Sequence, residues 1–323
     1  MIHSFVLSGG QLVQQNPDLE ALRAARGEKG RMLWIDLDNP TDAEAREILE
    51  SLFAFHPVAI EDCLTPSYLP KIEDYEEYLF IVVHAVDFTA DRKFVNAELD
   101  LFLGRDYLVT FHRAPLKSLA AVRERLAKNT PGPVRDADRL AHSVLDQLVD
   151  NYQPTLDALR AELEEIEDAV LTRGAGPNFN ADIVRVRREC STLQRIVGPQ
   201  REVVERLAHG ESKLIRTATV PYFRNLRDNL RRIEGTTASD HDRLLMAFDI
   251  HLNKAAFEAN EGIKFLTALT AITLPAVVVG GWYGMNFANM PELHTTHGYL
   301  CACLGTAATT LLMAWYLRRK RWF

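Results

Sequence analysis

Cysteine is scarce in this sequence, and its spacing fits no metal or redox motif. The 323-residue chain has four cysteines: Cys63 and Cys190 lie far apart, and Cys301 and Cys303 are separated by one residue. A structural zinc site or a dithiol redox centre needs cysteine pairs in a CxxC spacing. Unpaired cysteines are typical of a reducing compartment, so we expect the soluble part of the chain to be cytoplasmic.

The chain also lacks a surplus of positive charge and a recognisable catalytic motif. Its 37 Lys and Arg residues are outnumbered by 44 Asp and Glu residues, and the net charge of -7 argues against nucleic-acid binding and suits cations better. A phosphate-binding loop, an HExxH sequence and a nucleophile elbow are absent. A membrane-anchored enzyme or sensor using His84, Asp87 and His112 is a distant alternative. The N-terminus has no basic region followed by an apolar core, so we expect no cleaved signal peptide.

Charge is missing altogether from two C-terminal stretches. Phe265–Met285 and Gly298–Leu317 contain no charged residue over twenty-one and twenty positions. At 1.5 Å per residue each stretch spans about 30 Å, the thickness of a bilayer core, and predicts a transmembrane helix. The basic run Arg318–Arg321 follows the second stretch, whereas the connection 286–297 has no Lys or Arg. This asymmetry predicts a multi-pass protein of the inner (plasma) membrane with both termini in the cytoplasm.

The N-terminal part predicts an α+β domain with a small sheet flanked by helices. Met32–Leu37 has period-two apolar character, and Leu79–Val86 is rich in β-branched residues. Ala97–Phe111 is also β-rich and is interrupted at Gly104, which predicts a hairpin. Before Asp42–Phe55, a threonine followed three residues later by glutamate predicts the start of a helix.

Helical periodicity replaces these patterns in the second half of the chain. Ala141–Thr172 and Ala181–His209 predict an antiparallel pair, with kinks or breaks at Pro154 and Pro199. A further helix begins near Pro221 and meets no stop before the first span, which makes it roughly 95 Å long. The predicted order is a cytoplasmic α/β domain (1–135), a helical pair (136–220), a stalk helix continuing into the first span (221–284, membrane part about 263–284), an external loop (285–297), the second span (298–317) and a basic cytoplasmic tail (318–323).

A stripe of small and polar residues runs along the first span. Three of its members, Asn260, Thr267 and Thr270, would be unfavourable against lipid, so the stripe should face protein or water. One interpretation is a seam between helices, and the other is a water-filled path. Two helices cannot enclose such a path, so it would need several copies of the chain in a closed ring. The residues at spacings of three and four are Asn260, Ile263, Thr267, Thr270, Leu274, Val277, Gly281 and Gly284.

The segment between the two spans carries a resemblance to a known family. Tyr283–Phe287, with the sequence Tyr-Gly-Met-Asn-Phe, is followed by Met-Pro-Glu-Leu at Met290–Leu293, and the pair resembles the signature of the CorA family of magnesium channels. Asn260-Glu261 and the basic tail are similar as well. Further similarity lies at Trp34–Leu37, Pro40-Thr41, His56-Pro57, Glu61–Leu64, Pro70–Glu73, Leu103-Gly104 and Tyr107–Thr110.

This resemblance implies a homopentameric funnel in a lipid bilayer that conducts hydrated Mg²⁺, and also cobalt or nickel. Mg²⁺ would be the transported ion and a candidate regulatory ion, and no organic cofactor or other protein partner is expected. Gly284, Met285 and Asn286 match the selectivity motif, and Glu292 would attract cations. Leu266 does not belong to the stripe, and only the resemblance assigns it to the pore lining. The implied pore-lining residues are Asn260, Ile263, Leu266, Thr267, Thr270, Leu274, Val277 and Gly281.

Regulation departs from the family pattern. In the family, a stretch similar to Pro221–Arg224 is followed by an aspartate of the stalk helix that binds regulatory ions. In this chain Asn225 occupies the position of that aspartate. A neutral amide is a weaker Mg²⁺ ligand than a carboxylate. Asp87, Asp91 and Asp228 are the candidate substitutes for a regulatory metal site.

A zinc or proton-coupled transporter of the related ZntB type is the nearer alternative function. It has a similar architecture but usually lacks methionine in the middle of the motif, so Met285 argues against it. His294 and His297 in the loop could attract zinc, although two histidines without a third ligand are weak evidence.

Overall fold

The computed structural model describes residues 1–67, 69–88, 94–128, 136–173, 179–286, 290, 295–320 and 322, with only the backbone at 87, 88, 172 and 173. The chain divides into an N-terminal unit, Met1–Ala247, and a C-terminal unit, Phe248–Phe323. The strands are β1 (Ile2–Ser8), β2 (Gln11–Gln15), β3 (Arg31–Asp38), β4 (Lys71–Asp74), β5 (Tyr78–Phe88), β6 (Phe94–Gly104) and β7 (Tyr107–His112). The helices are α1 (Leu19–Gly27), α2 (Asp42–Arg46), α3 (Pro57–Leu64), α4 (Lys117–Ala127), α5 (Ala137–Asp150), α6 (Tyr152–Asp168), α7 (Phe179–His209), α8 (Val220–Tyr283) and α9 (Gly298–Arg319).

The described strands form one seven-stranded sheet in the order β2-β1-β3-β7-β6-β5-β4. Only β3 and β7 pair in parallel, and the other neighbours are antiparallel. The predicted strands are confirmed as β3, β5 and the β6–β7 hairpin. Glycine is required at Gly104 because a Cβ there would overlap the ring of Tyr107. The sheet is larger than predicted, since β1, β2 and β4 were not recognised, and two of these are short edge strands.

One face of the sheet is covered by α1, α2 and α3. Phe55 fills this layer, stacking on Phe53 at 5.2 Å and on Phe102 of β6 at 4.3 Å between ring centroids. The predicted capping box starts α2: the Glu44 amide donates to Thr41 Oγ1 at 3.3 Å, and the Thr41 amide donates to Glu44 Oε2 at 2.8 Å. A π-helical turn at Glu47–Leu52 follows α2 and leads directly to Phe53 and Phe55, which lie in the core.

Helices α5, α6 and α7 supply the other buried contacts of the sheet. Strand β4 pairs only with residues up to Val82, so the backbone of His84 needs partners from elsewhere. Gln200 Oε1 of α7 accepts from the His84 amide at 3.0 Å, and the Tyr152 hydroxyl of α6 donates to the His84 carbonyl at 2.7 Å. Buried side chains of the helical pair thus complete the hydrogen bonding of the sheet.

Neither of the two interior prolines breaks a helix. The break between α5 and α6 lies at Asn151, and Pro154 sits in the first turn of α6, where its missing amide hydrogen costs no helical hydrogen bond. Helix α7 runs without interruption through Pro199. The helix after the π-turn Ala169–Arg173 begins at Phe179.

Helix α8 is a single element of 64 residues, which confirms the long helix predicted from Pro221. Within the N-terminal unit, its buried residues Phe223, Leu226, Leu230 and Ile233 recur at helical spacing. Ion pairs link the same segment to α6 and α7. They are Arg201–Glu234 at 2.8 Å, Arg160–Asp240 at 3.0 Å and Arg243–Glu167 at 2.7 Å.

A buried charge network ties β3 to β7 and α4. Asp36 is fully buried and accepts from Thr110 Oγ1 at 2.7 Å and from Arg123 Nη1 at 2.6 Å, while His112 Nε2 lies 3.3 Å from its carboxylate. Burial alone would raise the pKa of Asp36, but these partners hold it below its usual value. Burial would likewise lower the pKa of His112, and Asp36 outweighs this and raises it.

Because the folded-state pKa of His112 is raised, its stabilisation is complete below the unfolded pKa and is lost as pH rises through the folded one. We expect His112→Gln to remove this pH-dependent component. A cationic partner of a buried carboxylate contributes about 1.5 kcal/mol, or roughly 3–6 °C in the unfolding midpoint of a domain this size. Thermal unfolding of the full chain in detergent from pH 6 to 9 measures it, with the exposed His209→Gln as the control. Parallel pH profiles for wild type and His112→Gln would contradict the assignment.

Candidate ion pathway

Helices α8 and α9 of the C-terminal unit are long and apolar enough to cross a membrane. Their most apolar windows have mean hydropathies of 1.8 and 1.6, and only 6% of each window is buried in the chain. In a soluble core such apolar surface would be covered. Leu269 and Leu304 illustrate this, being 48% and 63% exposed.

The predicted stripe lies on the membrane part of α8 and is uncovered in the single chain. Ile263, Leu266 and Leu274 are 62%, 63% and 52% exposed, so α9 of the same chain does not pack over them. The polar and small members, Asn260, Thr267, Thr270 and Gly281, and the apolar Val277 are exposed too. Since polar side chains avoid lipid, this surface needs either water or further protein chains against it.

The threonine hydroxyls of α8 donate to the helix itself. Thr267 Oγ1 donates to the Ile263 carbonyl at 2.8 Å, and Thr270 Oγ1 donates to the Leu266 carbonyl at 2.9 Å. Their hydrogens are thereby used, and the oxygens keep lone pairs that can only accept. A stripe of such oxygens suits a species that donates hydrogen bonds, such as the water shell of a cation.

Pro275, in the last third of α8, was not predicted from the sequence to have a role. It lies inside the helix, one residue beyond Leu274 of the stripe. Proline has no amide hydrogen, so the carbonyl of Ala271, one turn earlier, loses its helical donor. A freed carbonyl at membrane depth is tolerated where it meets water or protein. The signal was available, since a lone proline in an uncharged span is visible in the sequence.

The Gly-Met-Asn motif begins where α8 ends. The helix finishes at Tyr283, the Gly284 amide donates to the Gly280 carbonyl at 3.0 Å, and the Met285 amide donates to the Trp282 carbonyl at 3.3 Å. The C-terminus of a helix carries partial negative charge from its unsatisfied carbonyls, which favours a cation there. Asn286 follows at once and is exposed. Glu292 lies outside the described residues.

Steric crowding explains why the first position of the motif, Gly284, is a glycine. A Cβ built on Gly284 would lie 2.9 Å from the carbonyl oxygen of Gly280, closer than real Cβ atoms come to backbone oxygen. Any other residue would therefore shift the end of the helix. The position of Asn286 depends on this close approach two residues earlier.

The candidate regulatory aspartates are only partly described. Asp228 is exposed on α8 and pairs with Arg227 at 2.7 Å, which offsets part of its charge. The side chain of Asp87 and all of Asp91 fall outside the described residues. Within the described part of the chain, no group of three or more His, Cys, Asp or Glu side chains could hold a metal ion directly.

The histidines of the enzyme alternative have structural partners. His84 Nε2 lies 3.0 Å from the Ser67 carbonyl, and burial lowers the pKa of this histidine. His112 belongs to the Asp36 network described above.

Comparison with known proteins settles the family. The family described as "CorA-like Mg2+ transporter protein" matches residues 29–319. The chain belongs to this family. A putative metal ion transporter of Bacillus subtilis, YfjQ, is 31% identical over 90% of this chain and 89% of its own length. The cobalt/magnesium transport protein CorA of Thermotoga maritima is 30% identical over 90% of this chain and 83% of its own length.

A solved structure extends the likeness to the whole fold. The complete structure of the CorA magnesium transporter from Methanocaldococcus jannaschii superposes with a TM-score of 0.82 at 21% identity, covering 99% of this chain and 98% of that one. The predicted architecture of a sheet with helices, a long helix and two C-terminal apolar helices is thereby confirmed. The family is one of transporters and not a class of enzymes, and together with α8 and α9 it identifies this chain as a membrane protein.

Gly284→Ala should displace the backbone that presents Asn286. We expect cation uptake by the reconstituted protein to fall about tenfold, as a loss of about 1.4 kcal/mol of ion stabilisation implies. The matched control is Gly262→Ala, because a Cβ at Gly262 meets no atom within 4 Å among the described residues beyond the adjacent backbone of its own helix. Uptake is measured in proteoliposomes, and a wild-type rate for Gly284→Ala would rule out the steric requirement.

Proposed function

We propose that this protein conducts divalent cations, chiefly Mg²⁺, across the membrane through a path lined by α8 from several copies. The observation that carries the proposal is the continuity of α8, which bears an uncovered polar stripe and ends at Gly284-Met285-Asn286. A membrane anchor alone would need neither feature. The similar proteins whose names include cobalt, magnesium or metal ion transport agree with this function.

The chemistry of the proposed mouth suits a hydrated ion. Mg²⁺ gives up water reluctantly and is usually held with several waters in place. The neutral amide of Asn286 supplies one oxygen per copy, so a ring of copies offers acceptors to the water shell without binding the ion tightly. The negative C-terminal ends of α8 add an attraction at the same point. Glu292, beyond the motif, would raise the local cation concentration.

The path requires oligomerisation, and we propose a homopentamer. The stripe is uncovered by α9 of its own chain, and a closed ring of identical subunits is the symmetric way to enclose it. The number five comes from the family resemblance. In this arrangement both termini are cytoplasmic, and the loop after Asn286 faces the opposite side of the plasma membrane.

Apolar rings offer a means of gating. Ile263, Leu266, Leu274 and Val277 would each be repeated around the ring, and a narrow apolar constriction can block ions by excluding water. Regulation by Mg²⁺ at Asp87, Asp91 or Asp228 stays a prediction. The pairing of Asp228 with Arg227 weakens its case, since a metal would have to compete with the guanidinium.

Asn286→Ala should abolish Mg²⁺ uptake into proteoliposomes while leaving a particle of five chains. The reason is the loss of one acceptor oxygen per subunit at the narrow mouth, with no change to the buried core. Asn180→Ala is the matched control, because Asn180 is an exposed asparagine at the start of α7. Particle mass in detergent reports assembly.

Two results would count against this role. Uptake at the wild-type rate by Asn286→Ala would remove the residue from the filter. Equal loss of uptake by Asn180→Ala would indicate a general sensitivity to substitution.

The ZntB-type alternative predicts a different driving force. A channel for hydrated Mg²⁺ is driven by the ion gradient and voltage, so we expect Mg²⁺ uptake that is unchanged by a pH gradient at fixed voltage. Uptake of Mg²⁺ and Zn²⁺ should be compared in the same liposomes with and without that gradient. Zinc uptake that requires the proton gradient would favour the alternative.

A further inference from the structure

Two acidic side chains of β6 meet beside the connection between α3 and β4. Glu98 and Asp100 lie two residues apart on the strand, so their side chains share one face of the sheet. Asp100 is 1% exposed, whereas Glu98 is half-buried. Both line a cavity of about 280 Å³, which is large enough to admit water.

The two carboxyl groups are hydrogen-bonded to each other. An ionised carboxyl group can only accept hydrogen bonds, so this contact requires one proton between the two. Burial raises the pKa of Asp100, and the charge of Glu98 raises it further. Burial raises the pKa of Glu98 as well. The pair therefore carries one proton and one negative charge.

The neighbouring groups of α3 and β5 are neutral. Burial raises the pKa of the Cys63 thiol well above its usual value, and the thiol donates to Asp100. Burial lowers the pKa of His84, so its ring carries no charge. Neither side chain can replace the proton of the acidic pair by supplying a positive charge.

The neighbouring basic groups are held elsewhere. Lys71 of β4 pairs with Asp62 and Glu73. Arg113, just after β7, donates to the Leu64 carbonyl at 3.0 Å.

The ring of His112 on β7 belongs to the Asp36 network, although the residue also lines the cavity. The charges of Lys71 and Arg113 favour ionisation of the acidic pair, but neither forms an ion pair with Asp100 within the described residues.

The connection between α3 and β4 is held from two sides at Ser67. Its amide donates to Glu98 Oε2 at 2.6 Å, and its carbonyl lies 3.0 Å from His84 Nε2. A carbonyl can only accept, so Nε2 carries the hydrogen of this bond. Glu98 and His84 are directly opposite each other in the β5–β6 register. The position of the Glu98 side chain therefore decides whether the Ser67 amide keeps its partner.

We propose that the proton shared by Glu98 and Asp100 is a pH-sensitive switch that holds the connection at Ser67, and that loss of this proton releases it. With the proton present, one carboxyl group donates to the other and Glu98 stays beside Ser67. When the proton passes to water, two adjacent carboxylates repel each other. Asp100 is buried between β5 and β7, so Glu98, the more exposed of the two, moves toward solvent and away from the Ser67 amide.

The direction of the pH effect follows from the number of bound protons. Between the ordinary carboxyl pKa and the raised one, the folded chain binds a proton that the unfolded chain lacks. The free energy of unfolding therefore falls as pH rises through this interval, and the loss is complete above the raised pKa. Low pH favours the held form of the connection.

Infrared spectroscopy of the full chain in detergent tests for the shared proton. At neutral pH we expect the wild type to show the carbonyl stretch of a protonated carboxylic acid. Asp100→Asn should lose this band, because the asparagine amide donates to Glu98 without an acid proton. Asp106→Asn, which changes an exposed acid in the β6–β7 turn, should keep it.

Hydrogen exchange at Ser67, followed by mass spectrometry of the same chain, tests the release. After correction for the intrinsic pH dependence of exchange, the wild-type rate should rise about tenfold between pH 6 and pH 9, as expected when one hydrogen bond to a charged group is lost. In Asp100→Asn and in Glu98→Gln the corrected rate should stay constant, since each new amide supplies the donor in place of the proton. Two variants are used so that misfolding of one leaves the other as the test.

Either measurement can overturn the proposal. A wild-type chain without the acid band at neutral pH, or a band that survives Asp100→Asn, would contradict the shared proton. A corrected exchange rate at Ser67 that is constant in the wild type, or that rises equally in the wild type and the variants, would contradict the release. Neither readout involves ion uptake, so both are independent of the proposed function.

Discussion

The structure depends on one constraint: backbone polar groups inside a membrane must be satisfied by their own helix, by protein or by confined water. Helix α8 satisfies most of its own backbone groups, because it continues without a break from Val220 to Tyr283. Where it departs from the rule, it does so at Pro275 and at the C-terminal carbonyls beside Gly284. At Pro275 the Ala271 carbonyl lacks its helical donor, and beyond Tyr283 the last carbonyls have no further helical turn to supply donors. The places where the helix leaves acceptors unused are thus those where a hydrated cation could use them.

The same helix also belongs to the packed core of the N-terminal unit. There it is held by buried apolar residues such as Phe223 and Leu230, and by charge pairs with α6 and α7. Continuous helical structure joins this packed segment to the apolar part of the helix, which ends at Tyr283. The regulatory ligands themselves stay a prediction.

Polar burial in the N-terminal unit takes two contrasting forms. Around Asp36 the charges are matched, since Thr110, Arg123 and His112 all approach one carboxylate. Around Asp100 burial dominates: it raises the pKa of the carboxyl, and Oδ1 has no hydrogen-bond partner in the described residues. A matched network fixes the geometry of its members, whereas a buried atom without a partner costs stability.

Local patterns in the sequence determined much of the secondary structure of this protein. The uncharged runs, the Thr41 and Glu44 capping pair, the β6–β7 hairpin and the single long helix could all be predicted, because each depends on neighbours in the chain. The Gly-Met-Asn motif and its family were recognisable for the same reason. Strands β1, β2 and β4, the partner of His112 and the surroundings of Asp100 could not be predicted. They depend on residues far apart in sequence, such as Cys63 with Asp100 and Asp36 with Arg123, which only the packing of the sheet against its helices brings together.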